Sequence, residues 1–282
     1  MKVLNSRQEL SHYIESVKKS NKTIGFAPTM GALHQGHLSL YQAAKKENDI
    51  VISSIFVNPT QFNNPEDLEK YPRTIEADLK ALEESQTVDA VYLPEVKDLY
   101  PDGLKSQAYD FDGLEKEMEG KFRPGHFDGV GTVVEELFNQ VKPDNAYFGE
   151  KDFQQLAIIK KMVEKKQISV NIIGAPILRE PHGLAMSSRN ERLTPEQRQN
   201  AKIIYKTLKQ VNDWFRVISI PEIHERVNTI FENAKDFELE YFTIANEKDL
   251  KETDFFYKDQ SYRAFIAVFA GPVRLIDNIH LD

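Results

Sequence analysis

The stretch "TIGFAPTMGALHQGHLSLYQAAKKENDIVISSIFV", residues 23–57, has the pattern of a strand, a helix and a second strand. "TIGFA" is a short apolar strand, and "HLSLYQAAKKE" has the spacing of a helix. "IVISSIFV" is apolar almost throughout, which is typical of a strand buried on both faces of a parallel sheet. The stretch therefore predicts a βαβ unit.

Further strands and helices alternate through the next 120 residues or so. Strands are predicted at "AVYLP" (90–94), "NAYFG" (145–149) and "VNIIGAPIL" (170–178). Helical patterns lie between them, including "GVGTVVEELFNQV" and "QQLAIIKKMVEKK". This alternation predicts an α/β domain with a Rossmann-like, doubly wound parallel sheet over residues 1–177.

The pattern changes in the remaining part of the chain, residues 178–282. One helix is predicted over "LTPEQRQNAKIIYKTLKQVNDWF", in which Thr194 is the N-cap, Pro195 takes the first helical position, and Gln197 completes a capping box. A helix at "PEIHERVNTIFENAK" is followed by strands at "ELEYFTIA" and "YRAFIAVFAGPVRLI". These segments predict a second, smaller α+β domain that also carries the loop "MSSRN".

The composition excludes several classes of protein. The 282 residues carry a net charge of −8, from 36 Lys and Arg against 44 Asp and Glu, which argues against a protein that coats nucleic acid. No run approaches the ~18 apolar residues of a membrane span, and the N-terminus is polar, so neither membrane nor signal segment is predicted. With no cysteine, thiolate metal sites and disulfides are excluded, which agrees with a cytoplasmic location.

Unusual polar residues follow the predicted strands at the points where these end. "PTMGALHQGH" follows the first strand, "NPTQF" the second, and "GEKDFQQ" the strand at 145–149. Ligands of open α/β sheets bind at the carboxyl ends of the strands. The three segments are therefore predicted to converge on one edge of the sheet.

The first of these segments has the features of a phosphate site. Gly31 and Gly36 let the backbone approach a ligand closely, and the following helix directs free N–H groups and its positive end to the same place. His34 and His37 are three residues apart and share one face of the helix. Two alternatives remain: the histidines cap the helix and fill space, or they bind a metal, although no third ligand is evident.

The motif His-x-Gly-His after a first strand resembles the signature of the nucleotidyltransferase superfamily that includes class I aminoacyl-tRNA synthetases. Within it, "PTMGALHQGHLSL", "FVNPTQF", "YPRT", "FGEKDFQQL" and "GLAMSSRN" are similar, in order and spacing, to the pantothenate synthetase family. The motifs run from residue 28 to residue 190, and the C-terminal part is similar only in length and style. The resemblance implies a homodimeric ligase that condenses pantoate with β-alanine at the expense of ATP, through pantoyl adenylate.

The resemblance also implies roles for the residues around ATP. The backbone of residues 30–37 would cradle the phosphates, with His34 and His37 as catalytic donors, and His37 as the proton donor. Lys151 would neutralise the α-phosphate, unless it is an ordinary solvated lysine. Ser187, Ser188 and the catalytic Arg189 would clasp the β- and γ-phosphates in a closing loop, unless "SSRN" is only a polar loop. The predicted ATP contacts are Met30, Gly31, Ala32, Leu33, His34, Gln35, Gly36, His37, Gly149, Glu150, Lys151, Asp152, Leu178, Met186, Ser187, Ser188 and Arg189.

Other residues are assigned to the second and third substrates and to the metal. Gln61 and Gln155 would bind pantoate, Gln61 would also meet β-alanine, and Asn58 would join them. Relatives place Arg123 and His126 beside the pantoate pocket, although simple loop packing explains them as well. ATP implies Mg²⁺, for which Asp78 is the candidate ligand, with a solvated helix face as the alternative.

Two other functional classes are compatible with the superfamily motif. Another nucleotidyltransferase would share "HQGH" but would lack the two glutamines in these settings. A non-catalytic RNA-binding or regulatory module would show basic patches and would have lost Lys151 or His37, and the sequence shows neither change. The motifs, rather than the fold, favour the ligase.

Overall fold

The computed structural model describes residues 1–63 and 65–282, which form two compact units. The first unit comprises residues 1–150 and 154–176, and the second comprises residues 151–153 and 177–282. The short segment 151–153 therefore packs with the second unit, although the residues on both sides of it in the chain pack with the first.

The first unit is built on a parallel sheet. Its strands are β1 (Lys2–Leu4), β2 (Ile24–Thr29), β3 (Ile50–Ile55), β4 (Ala90–Tyr92), β5 (Asn145–Gly149) and β6 (Asn171–Ala175). Across the described residues these six strands are ordered β1-β4-β3-β2-β5-β6, and every pairing is parallel. The predicted Rossmann-like α/β sheet is confirmed, and β1 is an edge strand that the sequence pattern did not indicate.

Helices connect these strands. They are α1 (Arg7–Lys19), α2 (Gln35–Glu47), α3 (Pro65–Glu69), α4 (Ile75–Ser85), α5 (Val96–Leu99), α6 (Met118–Phe122), α7 (His126–Val141) and α8 (Phe153–Lys166). Short 3₁₀ turns lie at Pro59–Gln61, Leu114–Lys116 and Glu150–Asp152. Helix α2 buries Leu40, Tyr41 and Ala44 against the strands, which packs the helix onto the sheet.

The second unit packs helices against an antiparallel sheet. Its helices are α9 (Pro195–Asn200), α10 (Lys202–Trp214) and α11 (Ile220–Glu232), and its strands are β7 (Glu238–Asn246), β8 (Tyr262–Ala270) and β9 (Val273–Leu281). In the part of the chain that is described, the strand order is β7-β8-β9, which confirms the smaller α+β part of the predicted fold. Leu208, Val227 and Ile266 lie in its apolar core.

The predicted start of the first C-terminal helix is confirmed, but its continuity is wrong. The Thr194 hydroxyl accepts from the Gln197 amide at 3.1 Å, and the Gln197 side chain accepts from the Thr194 amide at 3.0 Å. The single predicted helix divides at Ala201, where Ile204 N–H donates to the Ala201 carbonyl at 3.1 Å. This i→i+3 bond tightens the chain into a 3₁₀ turn, which a periodic apolar pattern does not reveal.

The strand order has a direct consequence for the polar segments. Strands β3, β2 and β5 are neighbours and run parallel, so the segments that follow them leave the sheet at the same edge. Among the described helices, none combines the length and the apolar character needed to cross a membrane.

Candidate active site

The turn after β2 is held by a buried carboxylate on α4. Asp78 is 2% exposed, and its Oδ2 and Oδ1 accept the backbone N–H groups of Ala32 at 3.0 Å and Leu33 at 2.8 Å. The Thr74 hydroxyl donates to the same carboxylate at 3.2 Å. Gly31 has a φ of +83°, and a Cβ there would lie 3.0 Å from Asp78 Oδ2, so this turn requires glycine.

These contacts change the interpretation of Asp78. The solvated helix face considered from the sequence is wrong, because the side chain is buried. Its carboxylate accepts three hydrogen bonds from protein, so the structure shows it as an anchor of the turn after β2. Within residues 1–63 and 65–282, no three His, Cys, Asp or Glu side chains are grouped to hold a metal.

The two histidines cap helix α2. Nδ1 of His34 accepts the Gly36 N–H at 3.1 Å, and Nδ1 of His37 accepts the His34 N–H at 3.3 Å. A neutral imidazole that accepts at Nδ1 carries its proton on Nε2. Capping and donation to a phosphate are therefore compatible, because they use opposite nitrogens of the same ring.

Asn58, at the end of β3, is buried and fully hydrogen-bonded. It is 1% exposed; its Nδ2 donates to Gln61 Oε1 at 3.2 Å and to the Gly129 carbonyl at 3.1 Å. Its Oδ1 accepts from the hydroxyls of Tyr100 at 2.6 Å and Thr60 at 3.1 Å. These contacts occupy both donors and both lone pairs of the amide. Asn58 is thus placed to orient Gln61.

Gln61 is fixed through its backbone as well as its side chain. Its carbonyl accepts from His126 Nδ1 at 2.8 Å and from Arg123 Nη2 at 3.2 Å. Its Nε2 donates to Met30 Sδ at 3.0 Å, which places the donor end of the amide beside the turn after β2. Arg123 and His126, predicted at the pantoate pocket, therefore contact the backbone of a predicted pantoate residue.

The two adjacent glutamines of "FQQL" have different environments. Gln154 is 4% exposed; its Nε2 donates to the carbonyls of Leu114 and Glu117, both at 2.8 Å, and its Oε1 accepts the Glu119 N–H at 3.0 Å. Gln155 is half-buried in the first turn of α8. Gln154 is therefore structural, and Gln155 is the member of the pair that a ligand can reach.

Gly149 ends β5, where it pairs with Ala175. A Cβ on Gly149 would meet no atom of the described residues within 4 Å, chain neighbours aside. The packing of the protein does not require a glycine at this position, which leaves room for a ligand to approach the backbone. Glu150, the next residue, is half-buried.

Lys151 belongs to the second unit and is not an ordinary surface lysine. Its side chain is 17% exposed, and its Nζ lies 3.7 Å from Asp152 Oδ1, which supports the idea that Asp152 orients it. Its carbonyl accepts from Asn278 Nδ2 at 2.9 Å. The solvated alternative considered from the sequence is therefore wrong for this residue.

The segment "MSSRN" begins at the end of a hairpin. Met186 N–H donates to the Leu178 carbonyl at 3.0 Å, and Leu178 itself is 39% exposed. The Ser187 hydroxyl accepts the Arg189 N–H at 3.3 Å and caps a 3₁₀ helix, Ser188–Arg192. The second half of the predicted loop therefore forms a short 3₁₀ helix, whose first turn the serine satisfies.

A buried network holds this short helix to the hairpin. Asn190 is 1% exposed, and its Nδ2 donates to Glu180 Oε1 at 2.9 Å and to the Ala185 carbonyl at 3.0 Å. Arg198 Nε donates to Glu180 Oε2 at 2.9 Å. Burial alone would raise the pKa of the Glu180 carboxyl, but the hydrogen bonds from Arg198 and Asn190 hold it below its ordinary value.

Each unit thus groups part of the predicted site. The first brings Met30 of the turn beside Gln61 and caps α2 with both histidines, while Arg123 and His126 contact Gln61 from the side. Sequence reasoning missed residues that hold the site segments in place, which are Tyr100 and Thr74 in the first unit and Asp277, Asn278 and Asn190 in the second. A signal existed only for Asp277 and Asn278, which interrupt the apolar strand "VRLIDNIHL".

Comparisons with known proteins agree over the whole chain. The family model described as pantoate-beta-alanine ligase matches residues 2–280. Pantothenate synthetases of Flavobacterium psychrophilum and Christiangramia forsetii are 52% and 51% identical, with 100% of each chain covered. The crystal structure of pantothenate synthetase from Thermus thermophilus has a TM-score of 0.89 and 37% identity, covering 99% of both chains.

A further solved structure carries ligands. It is pantoate-beta-alanine ligase from Francisella tularensis, complexed with beta-gamma ATP and beta-alanine, with a TM-score of 0.82 and 40% identity over 99% of this chain and 97% of that one. The family match and the full-length relatives show that the chain belongs to the pantoate-beta-alanine ligase family.

Proposed function

We propose that this ligase condenses (R)-pantoate with β-alanine through a pantoyl adenylate. In the first step a pantoate carboxylate oxygen attacks the α-phosphorus of ATP, and the bond to pyrophosphate breaks. In the second step the amine of β-alanine attacks the acyl carbon, AMP leaves, and the nitrogen loses a proton. Family membership and the relative solved with beta-gamma ATP and beta-alanine support ATP and β-alanine as substrates.

The observation that carries this proposal is the capped start of helix α2. Both imidazoles accept backbone N–H groups at Nδ1, which leaves the proton on Nε2 beside the positive end of the helix. Charge grows on the phosphate oxygens during adenylation, so preorganised donors stabilise the transition state. We assign His34 and His37 to this role, with His37 as proton donor and the backbone of residues 30–37 as the phosphate cradle.

Pantoate is assigned to the two neutral amides, Gln61 and Gln155. A carboxamide binds the carboxylate and hydroxyls without forming an ion pair, so the carboxylate remains nucleophilic. Asn58 occupies Gln61 Oε1, so the donor Nε2 is the end that can face a carboxylate. Gln61 is also assigned to β-alanine.

The second unit is assigned further contacts with ATP. Lys151 neutralises the α-phosphate, while Ser187, Ser188 and Arg189 bind the β- and γ-phosphates. The remaining nucleotide contacts are Gly149, Glu150, Asp152, Leu178 and Met186. Magnesium would enter with the ATP substrate, held mostly by phosphate oxygens and water, and Asp78 is the candidate protein ligand.

The proposal also includes the cellular setting. The resemblance supports a homodimer. The absence of cysteine from the sequence agrees with a location in the reducing cytoplasm. Neither nucleic acid nor a membrane is proposed as a partner. Sedimentation at several protein concentrations tests the dimer.

The decisive experiment is exchange of labelled pyrophosphate into ATP. We expect exchange when pantoate is present and β-alanine is absent, because reversal of adenylate formation returns label to ATP. β-Alanine without pantoate is the control and should give no exchange. If folded protein binds ATP but shows no pantoate-dependent exchange, the adenylate step is wrong.

Gly129 provides a test of the pantoate assignment. A Cβ on this α7 residue would lie 2.5 Å from the Thr60 carbonyl oxygen and 2.9 Å from the Gln61 amide nitrogen. Gly129→Ala should therefore displace the turn that carries Gln61, and we expect KM for pantoate to rise ~10-fold. Initial rates at varied pantoate and saturating ATP measure the effect.

Gly131→Ala is the matched control for this prediction. It lies on the same helix, but its added Cβ would meet the Tyr109 side chain at 3.0 Å rather than the turn. The clash falls on a side chain rather than on the turn that carries Gln61, so KM for pantoate should change little. An equal rise in both variants would show that α7, rather than the position of Gln61, is responsible.

A further inference from the structure

Strand β9 buries two adjacent polar residues, Asp277 and Asn278. They are 4% and 2% exposed, in a strand whose neighbours include buried Leu275 and Leu281. Buried polar groups persist in proteins when hydrogen bonds satisfy them. The partners of this pair therefore show what it stabilises.

Asn278 holds the segment that carries Lys151. Its Nδ2 donates to the Lys151 carbonyl at 2.9 Å, while its Oδ1 accepts from Arg263 Nη1 at 2.6 Å. The guanidinium of Arg263 in turn lies 4.0 Å above the ring of Phe153. Residues 151–153 are thus attached to the antiparallel sheet at two points, directly through Asn278 and through Arg263.

Asp277 extends this arrangement to the hairpin that precedes Ser187. Its carboxylate accepts two bonds from Arg179, at 2.5 and 3.0 Å, and a third from the Asn278 N–H at 2.8 Å. Burial raises the pKa of Asp277, while hydrogen bonding and charge from Arg179 oppose the shift, and the charge of Lys151 opposes it further. The dipeptide therefore contacts the segment that carries Lys151 and the hairpin that leads to Ser187.

We infer that Asn278 is a positioning residue for Lys151, and that Asp277 fixes the positions of Asn278 and Arg179 through its hydrogen bonds to both. The inference rests on the proposed function for the role of Lys151. Asn278 holds the main chain of Lys151, from which the lysine side chain extends. Loss of this hydrogen bond therefore displaces the ammonium group. A displacement of ~1 Å in a reacting group lowers the rate by up to ~10²-fold.

Asn278→Asp removes the bond to Lys151 and adds a charge beside Asp277, which the neutral variant Asn278→Ser avoids. Aspartate keeps an acceptor for Arg263 but replaces the Nδ2 donor with an oxygen that repels the Lys151 carbonyl. We expect the turnover of pyrophosphate exchange to fall ~10-fold, with KM for ATP changing less. In a Lys151→Ala background the same substitution should change turnover less than ~2-fold, because its effect acts through Lys151.

Two companion variants separate positioning from general damage. Glu240→Gln weakens the ion pair with Arg274 in the same sheet, away from Lys151, and should retain full exchange activity. Asn278→Ser, which is too short to reach the Lys151 carbonyl, replaces Asn278→Asp should the charged variant not fold. Hydrogen–deuterium exchange of peptides covering residues 151–153 should accelerate in the Asn278 variants and stay unchanged in Glu240→Gln.

The outcomes distinguish this inference from the proposed function. Unchanged turnover in Asn278→Asp, an equal loss in both Lys151 backgrounds, or unchanged deuterium uptake at residues 151–153 overturns the positioning role. Absence of pantoate-dependent exchange in the wild type overturns the proposed function instead, and the deuterium measurement still decides whether Asn278 anchors the segment.

Discussion

Lys151→Ala should lower the rate of adenylation by ~10² or more, with a smaller effect on the affinity for ATP. The ammonium group is assigned to the α-phosphate, where negative charge grows as the carboxylate attacks. Its loss removes stabilisation that is strongest in the transition state, so turnover falls more than binding. Pantoate-dependent pyrophosphate exchange gives turnover, and equilibrium titration with ATP gives affinity.

The stability of the variant separates chemistry from folding. The Lys151 side chain contacts Asp152 at 3.7 Å, and the partner is 48% exposed, so losing this ion pair should cost less than ~1 kcal/mol. Lys160→Ala, an exposed lysine on α8, is the matched control and should leave both rate and stability unchanged. If Lys151→Ala loses ATP affinity with unchanged turnover at saturation, Lys151 is a binding residue only.

The fold was predictable where local pattern and burial agree. The apolar run at 50–57 and the helical run before it are sufficient to predict β3, α2 and the parallel sheet, because a strand buried on both faces has no polar alternation. The capping box at Thr194 was equally local. The break at Ala201 was not predictable in this way, since the apolar periodicity continues through it.

The sequence was sufficient to predict the candidate site residues, but not the residues that hold them in place. His34, His37 and Gln61 stand out because they follow strands, and the family motifs select among many similar residues. From the sequence, Asp78 is either a candidate metal ligand or a solvated helix residue, because its contacts with Ala32 and Leu33 span more than forty positions in sequence. The hydrogen bonds of Asn58 with Tyr100, Thr60 and Gly129 likewise depend on tertiary packing that the sequence does not reveal.

The anchors of the second unit illustrate the same limit. Asn278 lies 127 positions from Lys151 in the chain, so no spacing rule connects them. Their contact depends on the assignment of residues 151–153 to the second unit rather than to the flanking sheet. Hydrogen bonds between residues so distant in sequence depend on tertiary packing. The sequence indicates them only through polar residues that interrupt apolar strands.

The two nitrogens of His37 make its two functions experimentally separable. Nδ1 accepts the His34 N–H at 3.3 Å, and Nε2 is assigned to the phosphates. His37→Asn keeps an acceptor near the position of Nδ1 and removes the distal donor, so we expect adenylation to fall ~10² or more while stability changes by less than ~1 kcal/mol. Single-turnover adenylate formation and thermal unfolding measure the two effects.

His37→Gln provides the complementary comparison, because its longer side chain carries an amide donor out toward the position of Nε2. It should recover part of the lost rate, since a donor near the phosphate is restored without the imidazole proton. Equal activity of the two variants would mean that donation at Nε2 does not contribute. A large loss of thermal stability in His37→Asn would instead show that the asparagine oxygen does not replace Nδ1 as the acceptor of the His34 N–H. In that case the main function of His37 is to cap the helix.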